Sequence, residues 1–79
     1  MKGIAEKAEE KLQSLIRRIR EDAGITQAEL ASRLGVPQSV VSKVESGERR
    51  LDVLELRQVC RVLDLSLGEF VRRLEKEVS

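Results

Sequence analysis

Gln38, Ser39, Ser42 and Lys43 punctuate the short stretch QSVVSKVES that starts at residue 38. On a helix these four positions share one face, while Val41 and Val44 share the opposite one. The chemistry open to such a face is hydrogen bonding rather than bond making. A glutamine amide offers donor and acceptor side by side, a hydroxyl offers either, and an ammonium offers three donors. On spacing alone the same set also reads as an ordinary solvated helix face.

Nothing else in the chain assembles a reactive or metal-binding set. Histidine is absent, which removes the usual general base and the usual zinc ligand. Cys60 is the single cysteine, so neither an intramolecular disulfide nor a thiolate cage can form, and its place in an apolar stripe reads as core. No enzyme, cofactor, metal or small-molecule site is expected.

A chain of 79 residues supports one small domain with a thin core, so residues 1–79 are read as a single unit. Hydrophobic residues at 41%, charged residues at 37% and one proline describe an ordered, helix-rich chain. No apolar run exceeds two residues, against the roughly 20 that a bilayer span requires. The segment MKGIAEKAEEK lacks an apolar signal core, so cytoplasmic residence without membrane contact is expected. Net charge is only +1, yet residues 11–50 hold eight Lys and Arg against five Asp and Glu, net +3, between flanks that are each net −1. The positive charge gathers around the polar face.

The elements that must position that face follow from periodicity and end signals. Ile4, Ala5, Ala8, Leu12, Leu15, Ile16 and Ile19 make one apolar face of a helix over about 4–22, with a charged belt opposite and Gly24 as its stop. Thr26 and Glu29 form a capping box for a helix over about 27–34, with Ala28, Leu30, Ala31 and Leu34 expected inside. Gly35-Val36-Pro37 is a turn, the helix over about 38–46 follows, and Gly47 closes it. Asp52 and Glu55 cap a helix over about 53–63 whose Val53, Leu56, Val59, Cys60 and Leu63 share helical spacing. Asp64 suits a left-handed cap. Ser66 and Glu69 open a last helix, about 67–77, striped by Leu67, Phe70, Val71, Leu74 and Val78. The fold class expected is all-α with five helices.

The runs IREDAGITQAELASRLGV, SKVESGERR and LDLSLGEF, in this order and spacing, resemble the lambda repressor and Cro type of helix-turn-helix domain, the Xre family. The similarity covers about Leu12 to Leu74. It implies a five-helix lambda-repressor-like DNA-binding domain whose helices 2 and 3 form the helix-turn-helix, with helix 3 in the major groove. Gln38, Ser39 and Lys43 then fall at base-reading positions, with Ser42 on the same face and Val40 at its edge. Glutamine pairs well with adenine, lysine with guanine, and a valine methyl with thymine. Gln27 matches a phosphate contact that can also brace Gln38. Arg49 and Arg50, with backbone amides near Ser46 and Gly47, look like further phosphate anchors. Arg20 and Glu45 match a structural ion pair, with a secondary phosphate contact from Arg20. The sequence departs from the family pattern at Pro37, which lacks a side-chain cap, and at Leu51 and Asp64.

These resemblances imply a sequence-specific regulator of transcription bound to double-stranded DNA. Phe70 is the only aromatic residue, so there is no stacking platform for single strands. A homodimer on a near-palindromic operator is expected, with Leu67, Phe70, Val71, Leu74, Val78 and Ile4 as interface candidates. The alternative from another class is a helical protein-interaction module, such as an antitoxin or the partner of a regulatory protein.

Overall fold

The computed structural model describes residues 6–78, which form α1 (Glu6–Asp22), α2 (Gln27–Leu34), α3 (Gln38–Ser46), α4 (Val53–Val62) and α5 (Leu67–Val78), with no strand among them. Each helix lies within a residue or two of the range its periodicity predicts. Ile4, a candidate interface residue, lies outside the described residues.

Side-chain caps set three of the helix starts. Thr26 Oγ1 accepts the Glu29 N–H at 3.1 Å while Glu29 Oε1 accepts the Thr26 N–H at 3.2 Å. Asp52 and Glu55 exchange the same pair at 2.8 and 3.0 Å, and Ser66 and Glu69 at 3.0 and 3.2 Å. Each such cap is worth about 1 kcal/mol. At the far end of α4, Asp64 adopts φ 61°, and the N–H of Leu65 reaches back to the Cys60 carbonyl at 3.0 Å. That reversal turns Leu65 into the core, where it is buried.

The core is built from every helix: Leu15, Ile16 and Ile19 of α1, Leu30 and Ala31 of α2, Val41 and Val44 of α3, Val59 and Cys60 of α4, and Phe70 of α5. α1 packs on α3 and α5, α2 on α3 and α4, and α4 on α5, so the helix-turn-helix rests on a three-helix support. Burial of one large apolar side chain contributes about 1.5–3 kcal/mol, and these contacts carry most of the stability of so small a chain.

The packing corrects three sequence-based placements. Phe70 is 1% exposed and fills the centre of its own chain, so it leaves the set of interface candidates. Leu67 and Leu74 pack partly against the same core, while Val71 and Val78 remain 42% exposed. Ala28 is exposed rather than buried, although it keeps the spacing of Ala31, because it lies in the first turn of α2 ahead of the buried Leu30 and Ala31. Val53 is 62% exposed because, as the first residue of α4, it projects beyond the contacts made by Val59 and Cys60, and its neighbour Leu54 is 70% exposed. No helix among the described residues is long and apolar enough to cross a membrane.

Candidate nucleic-acid interface

The turn between α2 and α3 is made by backbone chemistry alone. Gly35 takes the left-handed conformation at φ 73°, and the Val36 N–H returns to the Ala31 carbonyl at 3.0 Å. Pro37 then stands at the N-cap of α3 with φ −63° and ψ 151°, and no side chain caps the helix. Its ring fixes the backbone at the angle the helix start requires. Leu30 and Ala31 on one side meet Val41 and Val44 on the other, and the small alanine allows the two helices a close approach.

Burying Val41 and Val44 decides what α3 presents to solvent. Gln38, Ser39, Ser42 and Lys43 are all exposed, as one row along the outer face. Val40 is half-buried, lining a shallow cleft with Leu34, Val36, Leu51 and Val59, so only its edge is available to a partner. Nothing in the chain hydrogen-bonds the Gln38 and Lys43 side chains among the described residues, and their donors face water.

Behind this row lies a buried ion pair. Arg20 of α1 is 7% exposed. Its Nε–H donates to Glu45 Oε2 at 2.7 Å, Nη2 donates to Glu45 Oε1 at 2.9 Å, and Nη1 donates to the Ile25 carbonyl at 2.8 Å. Donating to Glu45 holds the Arg20 guanidinium pKa above its ordinary value, against the burial that alone would lower it. Gln27, at the start of α2, donates from Nε2 to the same Glu45 Oε1 at 3.1 Å. One carboxylate therefore ties α1, the first turn of α2 and the third turn of α3. The sequence expectation had Gln27 bracing Gln38; in the structure Glu45 is its partner.

Arg20 consequently points its donors inward. Three of its five guanidinium N–H groups go to Glu45 and Ile25, and at 7% exposure the residue serves a structural role, with little of it open to a phosphate.

The loop after α3 also differs in detail from expectation. Gly47, at φ 87°, donates its N–H to the Val44 carbonyl at 3.2 Å, and the N–H groups of Glu48 and Arg49 both reach the Lys43 carbonyl, at 2.9 and 3.1 Å. The Ser46 hydroxyl donates to that carbonyl at 3.1 Å. The orphan carbonyls at the end of α3 take these donors, so Ser46 and Gly47 end the helix and offer no amide to an outside anion. A Cβ on Gly47 would also lie 2.8 Å from the Gln13 side chain of α1. The cationic side chains remain. Arg49 Nη2 donates to Glu55 Oε2 at 2.7 Å, and Arg50 Nη2 lies 2.5 Å from Glu9 Oε1. The Arg49 guanidinium holds the Glu55 carboxyl below the usual carboxylate range.

The carboxylates that hold Arg49 and Arg50 escaped the sequence reading. Glu55 was legible as a cap but not as an arginine partner, and Glu9 sits forty-one residues from Arg50 with no local signal to join them. Among the described residues no cluster of three acidic, cysteine or histidine side chains could hold a metal ion.

A helix-turn-helix family model matches residues 16–70, from the core of α1 through Phe70. Among solved structures, the chain is similar to an XRE-family like protein from Pseudomonas syringae pv. tomato, at 44% identity over 99% of this chain and 95% of that one, with a TM-score of 0.89. It is similar to the restriction-modification controller protein C.Esp1396I at 28% identity, covering 90% and 93% of the two chains, TM-score 0.83. The clp gene regulator ClgR from Corynebacterium glutamicum matches at 27% identity over 89% of this chain and 74% of that one, TM-score 0.80. No curated protein matches the chain.

Proposed function

The chain belongs to the XRE family of helix-turn-helix proteins and is a DNA-binding regulator of transcription, and we propose that it reads a specific, near-palindromic duplex operator as a homodimer. The observation that carries this reading is the exposed row of Gln38, Ser39, Ser42 and Lys43 on a helix whose back is locked by Glu45. A recognition helix held rigidly can commit its side chains to base edges without first losing freedom.

In this reading α3 enters the major groove. Gln38 and Lys43 hydrogen-bond bases, Ser39 and Ser42 adapt to either donors or acceptors, and the edge of Val40 meets a thymine methyl. Gln27, at the N-terminal end of α2 where the helix favours an anion, meets a phosphate with the amide hydrogen that Glu45 leaves free. Arg49 and Arg50 meet phosphates from the loop after α3 and set register rather than sequence. The likeness to a restriction-modification controller protein and to a clp gene regulator supports gene control as the setting.

Support for the dimer comes from α5. Val71 and Val78 are exposed apolar residues beside the half-buried Leu67 and Leu74, a face that a second copy would cover. Selection of duplexes from a random library, with light scattering of the free protein, tests the reading. Expected are a dimer mass and enriched sites with two half-sites about 34 Å apart, one turn of DNA. A monomer that enriches no sequence would sink it.

A further inference from the structure

The cations of this surface fall into two groups. Lys43, on the proposed base-reading row, has no carboxylate within ion-pair distance among the described residues. Arg49 and Arg50, the proposed phosphate contacts, are both paired: Arg49 to Glu55 at 2.7 Å and Arg50 to Glu9 at 2.5 Å. Neither acid belongs to the helix-turn-helix, since Glu9 comes from α1 and Glu55 from α4.

The Arg50–Glu9 pair is built to open at one end. The side chain of Arg50 is 71% exposed while that of Glu9 is 31% exposed. In the second pair Glu55 is fixed from behind, its Oε1 accepting the Asp52 N–H at 3.0 Å as part of the α4 cap. Arg49 has a second anchor in the Arg50 carbonyl, which accepts from Nη1 at 3.2 Å. In the Arg50–Glu9 pair the acid is the better buried partner, while Arg49 and Glu55 are equally exposed at 38% and 39%, each with one further anchor. A cleft of about 230 Å³ between α1 and the loop, lined by Glu9, Gln13, Arg49 and Arg50 among others, gives water and ions access to the pairs.

A phosphate that approaches either arginine must take the place of a carboxylate. The arginine then exchanges one anion for another, and the displaced carboxylate is left near the DNA backbone, which repels it. Sequence-independent affinity grows with the number of phosphates neutralised by free cations, so pairing these two arginines removes part of it. Bases are not involved in the exchange.

We propose that Glu9 and Glu55 are intramolecular counterions that compete with DNA phosphates for Arg50 and Arg49, setting the absolute affinity for duplex DNA without altering which sequence is preferred. This rests on the reading of Arg49 and Arg50 as phosphate contacts. The net charge of +1 is consistent with such balancing.

The test measures binding of the full chain to a mixed-sequence duplex of about 20 base pairs across a salt series, comparing wild type with Glu9→Gln, Glu55→Gln and both together. Glutamine keeps an acceptor for the Asp52 amide, and Glu9→Gln touches no helix cap, so it carries the test if Glu55→Gln fails to fold. Each single variant is expected to bind roughly five- to tenfold more tightly near 0.1 M salt, with a salt slope steeper by about 0.9, as for one freed cation, and the double variant to steepen it by about 1.8. In an Arg49→Ala background Glu55→Gln is expected to have no effect. Weaker binding in the glutamine variants would mean the acids position the arginines instead, and overturns the proposal, as does an unchanged slope. Arg49→Ala and Arg50→Ala in the wild-type chain separate the two claims. If they leave the slope unchanged, the phosphate reading fails and the proposal with it; if they flatten it while the glutamine variants do nothing, only the proposal falls.

Discussion

Arg20 and Glu45 meet edge to edge across 25 residues of sequence, through two hydrogen bonds of 2.7 and 2.9 Å, and their side chains are 9% and 4% exposed. This contact fixes the rotation of α3 against α1, because Glu45 lies on the same short helix as Gln38 and Lys43. The exposed row of α3 is thus held from behind by a charge pair rather than by apolar packing alone.

Removing only one partner of this pair leaves a charge stranded away from water. Glu45→Ala is expected to cost about 3–5 kcal/mol of folding stability in urea unfolding, since it strands both Arg20 and the Gln27 amide. The double change Arg20→Met with Glu45→Met is expected to recover most of that loss, because two apolar side chains of similar size need no partner. A double variant no more stable than Glu45→Ala would contradict this account of the pair.

Cys60 makes the chain's stability depend on alkaline pH. Burial pushes its thiol from the ordinary 9.0 up to about 11. The folded form keeps the proton longer than the unfolded form, so the stability it contributes is complete below about pH 9 and is lost as pH rises towards 11. At about 1.4 kcal/mol per unit, the loss approaches 2–3 kcal/mol. Urea melts of wild type and Cys60→Ala between pH 8 and 10.5 measure it: wild type is expected to lose more stability over that range, and parallel curves would rule it out. Effects common to both chains cancel.

Local chemistry made much of the fold legible in sequence. The boxes Thr26–Glu29, Asp52–Glu55 and Ser66–Glu69 are each complete within four residues, and Asp64 could be assigned its left-handed turn from its type and place. Periodicity failed where a helix begins. Ala28 and Val53 both lie in a first turn, where a residue can follow the apolar spacing and still reach past its neighbours. The role of Phe70 depended on α1 and α4 both packing on α5, which spacing within α5 does not reveal.

The site divided in the same way. The outward set on α3 followed from the inward positions of Val41 and Val44, and the Arg20–Glu45 pair was readable through family resemblance. What joins Gln27 to Glu45, Arg49 to Glu55 and Arg50 to Glu9 is tertiary approach, with no spacing signal to announce it. Ser46 and Gly47 were expected at the DNA, yet the unmet carbonyls of the last turn of α3 claimed their donors first.

The central claim is that α3 reads bases through its exposed row, and binding-site selection with Gln38→Ala tests it most directly. Gln38 is exposed and its side chain caps nothing, so the variant is expected to melt with wild type. Its selected sites are expected to lose preference at one position in each half-site, worth about 1–3 kcal/mol, with the other positions and the half-site spacing retained. Selected sites identical to those of wild type at every position would contradict the claim.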